Sequence, residues 1–231
     1  MDGFVLKLRQ KFFENANPPY GLQMKAYMRN QYDFFGINAP AQVQIRQEFL
    51  KAEGIPEISH LPQLIREFWE QPEREFQHFG LALTEKYSKK TDAGFIETLE
   101  WMIVTKSWWD TVDFIAANLV GAHFKRFPEL IPAYTEKWMN SGNFWLQRSA
   151  LLFQLKYKKL TDLGLLFGFI ERLSDSREFF IRKAIGWTLR EYSKTDPDVV
   201  IEFVNSHQLQ PLSRKEALKV INRKSPLPDN V

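Results

Sequence analysis

The chain has 231 residues, 44% hydrophobic and 15% aromatic, which is enough to bury a sizeable core in one domain or one repeat array. It contains no cysteine, and this excludes disulfide bridges, thiolate metal sites and a cysteine nucleophile. The net charge is +3, but residues 144–231 alone carry 15 Lys and Arg against 10 Asp and Glu, a balance of +5. That excess favours an anionic partner for the C-terminal part of the chain.

The N-terminal sequence MDGFVLKLRQ places charges within its short apolar stretch, so it predicts no signal peptide. No run of about 18 apolar residues occurs, so no membrane span is predicted either. Together with the lack of cysteine, these features favour a cytoplasmic protein that has no membrane partner.

Helical periodicity dominates the chain, and no segment alternates in the manner of a half-buried strand. The sequence therefore predicts an all-α fold of about a dozen helices joined by short loops. Helix starts are indicated by Ser107 with Asp110, by Asp196–Pro197 and by Ser213 with Glu216. Breaker residues separate the helices at Gly36–Pro40, Gly54–Pro62, Lys89–Gly94, Phe127–Pro132, Asn140–Asn143, Lys194–Pro197 and Gln208–Pro211.

An internal repeat links the segments EREFQHFGLALTEKY, FWLQRSALLFQLKY and FFIRKAIGWTLREY, which end at Tyr87, Tyr157 and Tyr192. These tyrosines are 70 and 35 residues apart, so the second spacing is half of the first. Paired helices at this period predict an α-α superhelix (solenoid) of HEAT-like repeats, as one domain over residues 1–224. The tail 225–231 is predicted to be disordered. The alternative is a chance likeness among the helices of a compact bundle.

The helix expected between Arg177 and Ser193 has two distinct faces. Its buried stripe comprises Ile181, Ala184, Ile185, Thr188, Leu189 and Tyr192. A second line of side chains comprises Phe180, Lys183, Trp187, Arg190 and Lys194. A tryptophan among cations on one face suits binding to phosphates and flat bases. The alternative is a tryptophan that packs on a neighbouring repeat, with lysine stems lying around it.

The repeat register places Arg148 on the same face one repeat earlier, because a shift of 35 residues maps Lys183 onto Arg148. Arg148 lies in a very apolar segment, where an arginine without a partner is costly. It therefore either faces the predicted binding surface or pairs with a neighbouring carboxylate.

The segment KSWWDTVD, residues 106–113, carries the candidate chemistry. Trp109 and Asp113 are four residues apart and share a helical face, beside a buried stripe of Trp108, Val112, Ile115 and Leu119. A carboxylate one turn from an aromatic ring suits a reaction that develops positive charge, since it stabilises an oxocarbenium-like sugar and holds a water. Asp110 is the rival carboxylate, but its position explains it as a helix-start residue. A purely structural Trp–Asp pair is the alternative.

Other chemistry has little support in the sequence. His60, His78, His123 and His207 are scattered without metal-ligand spacing. There is no phosphate-cradling glycine loop and no nucleophile elbow. We therefore expect catalysis without a metal or a cofactor.

The segments KSWWDTVD, FWLQRSALLFQLKYK and FFIRKAIGWTLREYSKT together resemble the AlkD-like DNA alkylation repair family, and AYMRNQYDFFGI, IREFWEQPEREFQ and PLSRKEALK extend the resemblance over essentially the whole chain. The resemblance implies a curved array whose concave, basic face holds duplex DNA. It also implies a DNA glycosylase of base excision repair, which hydrolyses the N-glycosidic bond of cationic N3- or N7-alkylated purines. The family is thought to leave the lesion stacked in the duplex, without base flipping.

Residue by residue, Asp113 matches the family's catalytic carboxylate, and Trp109 and Trp187 match its aromatic cleft residues. Arg148 matches the cleft arginine, which is expected to contact the DNA backbone beside the lesion. The expected DNA-binding residues are Tyr27, Lys156, Lys158, Phe180, Lys183, Arg190 and Lys194. Nothing in the sequence demands more than a monomer, and we expect no obligate protein partner.

One segment departs from the family's pattern, because relatives often carry basic residues after the GI-x-x-P turn. Here Pro40 is followed by Ala41, Gln42, Val43 and Gln44, and Arg46 is the first cation. Two other functions stay open at this point. One is a non-catalytic relative that binds damaged or branched DNA, and the other is a protein-binding HEAT scaffold.

Overall fold

The computed structural model describes residues 3–224, and within them the fold is all-α, as predicted. Asp33 and Glu73 form an isolated β-bridge, and this described part of the chain contains no strand. None of the described helices is long and apolar enough to cross a membrane. The tail 225–231, predicted to be disordered, lies outside the described residues.

The helices follow one another with short connections. They are α1 (Phe4–Glu14), α2 (Pro18–Tyr27), α3 (Ala39–Glu53), α4 (Leu61–Glu70), α5 (Arg74–Tyr87), α6 (Ile96–Val104), α7 (Trp109–Phe114), α8 (Gly121–Arg126), α9 (Ile131–Asn140), α10 (Phe144–Leu152), α11 (Leu163–Leu173), α12 (Phe179–Tyr192), α13 (Pro197–Ser206), α14 (Pro211–Leu218) and α15 (Ile221–Lys224).

Side-chain caps explain several of the helix starts. Asn or Asp side chains accept hydrogen bonds from backbone N–H groups two or three residues further on, which satisfies donors that the helix leaves unpaired. The predicted start at Asp196–Pro197 is confirmed, since Asp196 accepts from the N–H of Val199 at 3.2 Å. The capping residues of this kind are Asn17, Asn38, Asn143, Asp162 and Asp196.

At the two other predicted helix starts, the serines do not cap the helices. α7 begins at Trp109, and Ser107 Oγ instead donates to the carbonyl of Ile103 at 2.5 Å. α14 begins at Pro211, so Ser213 lies inside the helix and donates to the carbonyl of Arg182 at 3.0 Å. Proline suits the first helical position because its backbone is already preset, and it overrides the weaker serine signal.

The chain divides into two compact units, one ending at Thr98 and the other beginning at Leu99. The single repeat domain over residues 1–224 stays a prediction, as do its curvature and its concave basic face. The core of the first unit is a cluster of phenylalanine rings in edge-on contacts, with centroids 5.0 Å apart for Phe4 and Phe49. The cluster comprises Phe4, Phe12, Phe35, Phe49, Phe68, Phe76 and Phe79.

A buried carboxylate organises the connection between α2 and α3 in the first unit. Glu75 is fully buried and accepts hydrogen bonds from the backbone N–H groups of Phe35, Gly36 and Ile37 at 3.2, 3.0 and 3.2 Å. Burial raises the pKa of this carboxyl above its ordinary value, and the backbone hydrogen bonds act in the opposite direction. The segment 35–37 is therefore fixed by one side chain of α5.

In the second unit, side-chain pairs join residues separated by about the predicted period of 35 residues. Glutamates of α6, α9 and α11 each contact a Lys, Arg or His side chain located 36 or 37 residues further along the chain. These pairs are Glu100–Lys137 at 2.6 Å, Glu136–Arg172 at 2.7 Å and Glu171–His207 at 3.1 Å. These spacings are one or two residues longer than the predicted period of 35, so positions about one predicted repeat apart lie side by side in this unit.

The shared ending that first indicated the repeat is only partly helical. α5 and α12 end at Tyr87 and Tyr192, but α10 ends at Leu152, and Tyr157 comes after the turn formed by residues 153–156. That turn is fixed by Gln154, whose side chain donates to and accepts from the backbone of Asp162. The expected helical ending is therefore wrong for this repeat, because the local side-chain bonds compete with the helix.

The helices α12 and α14 approach each other closely at Gly186 of α12. A Cβ atom at this position would lie 2.5 Å from Glu216 Cβ and 2.8 Å from the carbonyl oxygen of Ser213. Both of those atoms belong to α14, so the absence of a side chain at Gly186 is what allows α14 to pack here.

Gly186→Ala is expected to lower the free energy of unfolding by about 1–3 kcal/mol, because overpacking forces the helices apart. The matched control is Gly168→Ala in α11, where an added Cβ meets no atom within 4 Å. That variant should be neutral or stabilising by up to about 1 kcal/mol, the helix propensity gain of alanine. Urea unfolding measures both, and equal stabilisation of the two variants would contradict the close approach.

Candidate active site

Asp113 and Arg148 form a bidentate ion pair in the second unit, between residues one repeat apart. Arg148 Nε donates to Asp113 Oδ1 at 2.7 Å, and Arg148 Nη2 donates to Oδ2 at 2.8 Å. Only 5% of the arginine side chain and 15% of the aspartate side chain are exposed. Arg148 Nη1 also donates to the carbonyl of Phe180. The guanidinium thus fixes the carboxylate in two directions and is itself anchored to α12.

Burial raises the pKa of the Asp113 carboxyl above its ordinary value, the hydrogen bonds and charge of Arg148 lower it, and the charge of Asp110 raises it. Desolvation is the largest of these effects. When it is ionised, the Asp113 carboxylate is therefore poorly hydrated, and in such a place electrostatic interactions are stronger than in water.

An aromatic cluster lies beside the Arg148 side of this ion pair. The Phe180 ring lies 4.8 Å from Trp145, 5.4 Å from Trp108 and 5.9 Å from the Arg148 guanidinium carbon. Phe144 stacks on Phe180 with planes 4° apart. Phe180, predicted as a DNA contact, is therefore half-buried in this cluster. Sequence reasoning missed Phe144 and Trp145, although both lie in the segment that contains Arg148.

The predicted helical faces agree with the structure in most positions. Val112, Ile115 and Leu119 are buried, whereas Trp108 is half-buried and its indole N–H is enclosed without a hydrogen-bond partner in the described part of the chain. On α12 the predicted stripe is buried except for Tyr192, which is half-buried. Trp109 and Trp187 are half-buried and lie outside the core, as their positions beside the stripes predicted.

The helix that carries Asp113 changes its winding directly after α7. A π-helical segment, Ile115–Val120, joins α7 to α8 without a break. Such segments often occur at functional sites. Within it, Asn118 donates to the carbonyl of Phe114 at 3.1 Å and accepts a hydrogen bond from Lys156 Nζ. Lys156, which is expected to contact a DNA phosphate, is therefore held by the helical segment that follows Asp113.

Most of the other expected phosphate contacts also have partners. Lys183 Nζ lies 3.0 Å from Glu216 Oε1, and Arg190 pairs with the other oxygen of the same carboxylate. Lys194 pairs with Glu191 at 2.5 Å. The side chain of Lys158 has no ion pair within residues 3–224. Sequence reasoning did not identify Glu216 as part of this surface.

A cavity of about 380 Å³ lies beside the ends of α10 and α12 and includes Lys158 and Lys194 in its wall. The remaining predicted DNA contact, Tyr27, lies in the first unit at the end of α2, with 72% of its surface exposed. Within the described residues, no three His, Asp or Glu side chains are grouped so as to hold a metal ion.

These observations define a class of protein, an all-α protein that has a buried carboxylate–guanidinium pair beside aromatic side chains and, on α12, cations paired with carboxylates. Residues 8–221 match the model of the family described as "DNA alkylation repair enzyme". The match covers most of the chain, so this protein belongs to the DNA alkylation repair enzyme family. The family predicted from the sequence is confirmed.

Two solved structures are similar to this chain. One is a predicted DNA alkylation repair enzyme from Enterococcus faecalis, with a TM-score of 0.82, 31% identity, and coverage of 93% of this chain and 98% of that one. The other is AlkD2 from Streptococcus mutans, with a TM-score of 0.60, 19% identity, and coverage of 88% and 100%. The second likeness shows the fold alone. No curated protein matches the chain.

Proposed function

We propose that the protein is a DNA glycosylase that hydrolyses the N-glycosidic bond of cationic N3- or N7-alkylated purines in duplex DNA, in base excision repair. The observation that carries this proposal is the Asp113–Arg148 pair, a desolvated carboxylate fixed beside aromatic rings. Membership of the DNA alkylation repair enzyme family supports a role in alkylation repair.

The chemistry follows from the charge of the substrate. Alkylation makes the purine cationic, so the electrons of the bond to C1′ leave with a base that becomes neutral, and no acid has to protonate it. Positive charge develops on the sugar, and the Asp113 carboxylate stabilises it. Water then adds to C1′, and its proton passes to Asp113 or to the solvent. The lesion stays stacked in the duplex in this reaction.

The neighbouring groups have supporting roles in the proposal. Trp109 and Trp187 provide aromatic faces that attract a cationic substrate. Arg148 uses three of its five N–H donors within the protein, and the other two remain for a phosphate of the DNA backbone. Lys156, Lys158 and Lys194 contribute further phosphate contacts, whereas Lys183 and Arg190 of the same surface are engaged by Glu216. The protein acts as a monomer, without a cofactor.

The proposal predicts strong discrimination between charged and neutral lesions. Release of hypoxanthine, an uncharged damaged base, should be about 10²-fold or more slower than release of 7-methylguanine, because its departure needs the acid catalysis that this site lacks. Single-turnover release from duplexes of the same surrounding sequence measures the ratio. Equal rates for the two bases would contradict the proposed mechanism.

A further inference from the structure

Glu216 of α14 lies between two cations of α12 that belong to the predicted DNA-binding face. One carboxylate oxygen is 3.0 Å from Lys183 Nζ, and the other accepts from Arg190 Nη1. Only 14% of the glutamate side chain is exposed, against 37% for Lys183 and 24% for Arg190. Trp187 lies between the same two cations along the helix, four residues after Lys183 and three before Arg190.

The backbone explains why the carboxylate is placed there. Gly186 lies between Lys183 and Arg190, and it is where α14 approaches α12 so closely that an added Cβ would meet Glu216 Cβ. Hydrogen bonding by Lys183 and the positive charges of Lys183, Arg190 and Lys219 lower the pKa of Glu216, against the opposing effect of burial. Glu216 is therefore an anion at neutral pH, and both of its oxygens are occupied.

A purely structural role explains this arrangement poorly. Ion pairs with exposed partners contribute at most about 1 kcal/mol to stability, and α14 is already packed on α12 through Gly186. The arrangement has a clearer effect on the charge available to DNA, because one carboxylate engages both of the cations beside Trp187. A DNA phosphate would have to compete with Glu216 for the same donors.

We propose that Glu216 limits the affinity of the protein for undamaged duplex by keeping Lys183 and Arg190 from neutralising DNA phosphates. The inference rests on the DNA binding in the proposed function and adds an affinity-determining residue to it. A weaker hold on undamaged DNA allows the protein to leave sites that lack a lesion.

The test compares Glu216→Gln with wild type in binding to an undamaged duplex over a range of salt concentrations. Each additional phosphate contact steepens the plot of log K against log salt by about 0.9. Glu216→Gln should bind more tightly and show a slope steeper by about 1–2 units, since two cations are released. The matched control is Glu136→Gln, which removes the same charge from the exposed pair with Arg172. That control should keep the wild-type slope.

A second substitution makes the test independent of how well Glu216→Gln folds. Lys183→Gln in the wild-type background should leave the slope nearly unchanged, because Glu216 already holds this lysine. In the Glu216→Gln background the same substitution should reduce the slope by about one unit. A loss of one unit in the wild-type background would overturn the inference, as would a wild-type slope in folded Glu216→Gln.

The outcome also separates this inference from the proposed function. If wild type releases 7-methylguanine but Glu216→Gln leaves the slope unchanged, only the role of Glu216 is wrong. If neither wild type nor any variant binds duplex at low salt, the DNA glycosylase proposal fails and the inference fails with it. Circular dichroism of each variant confirms that it is folded before binding is measured.

Discussion

Asp113→Asn should lower the single-turnover release of 7-methylguanine by about 10²–10³-fold, the loss found when one electrostatic contact to a developing charge is removed. Asparagine has nearly the same shape, but it brings no negative charge to the sugar and is a poorer acceptor for a water proton. Affinity for undamaged duplex should persist, because Asp113 does not attract phosphates. The substitution thereby separates catalysis from binding.

The matched control for this variant is Asp110→Asn. Asp110 lies one helical turn before Asp113, in the first turn of α7, and its charge raises the pKa of Asp113. Removing it should leave release within a few-fold of wild type. If Asp110→Asn lost as much activity as Asp113→Asn, the catalytic role could not be assigned to Asp113.

The pH profile provides a second measurement on Asp113. The carboxylate form is the active one, so release should rise with pH through the pKa of Asp113, which burial holds above its ordinary value of 3.8. This acid limb should be absent from the residual activity of Asp113→Asn. A wild-type rate that stays flat as the pH falls through this range would contradict the assignment.

Arg148→Met is expected to reduce both activity and stability. Asp113 would stay desolvated without its partner, which costs about 3–5 kcal/mol in buried pairs, and the carbonyl of Phe180 would lose its donor. The pKa of Asp113 should rise, so the acid limb of the pH profile moves to higher pH. Release at neutral pH should fall by about 10²-fold, because the carboxylate is no longer fixed in one orientation.

The double variant Asp113→Asn/Arg148→Met distinguishes the two effects. It removes both charges, so it should recover much of the stability lost in Arg148→Met while remaining inactive. Urea unfolding and single-turnover release, measured on the same preparations, provide both values. If Arg148→Met proved as stable as wild type, the partner of the buried Asp113 carboxylate would contribute little to the free energy of unfolding.

The repeat and its consequences could be predicted from the sequence because they depend on periodicity. The 35-residue shift that maps Lys183 onto Arg148 also maps Arg148 onto Asp113, and these two residues form the central ion pair. The shared face of Trp109 and Asp113 needed only the geometry of one helical turn. The sequence pattern was sufficient to predict a contact where the two residues lie on one helical face or at equivalent positions of adjacent repeats.

The partners of the cations could not be predicted in the same way. Glu216 was interpreted as part of a capping box, whereas the structure directs it across to α12, because Gly186 allows α14 to come close. Lys156 donates to Asn118, which lies in the π-helical segment, and that segment has no clear sequence signal. A count of positive residues therefore overstates the charge that is available to DNA.

Incubating the wild-type protein with a duplex that contains one 7-methylguanine, in EDTA, beside Asp113→Asn, tests the glycosylase activity and the role of Asp113 together. Wild type should release free 7-methylguanine and leave an abasic site, and the variant should lose most of both products. Binding of the duplex by wild type without any base release would contradict the DNA glycosylase proposal, and would identify a DNA-binding member of the family that has no glycosylase activity.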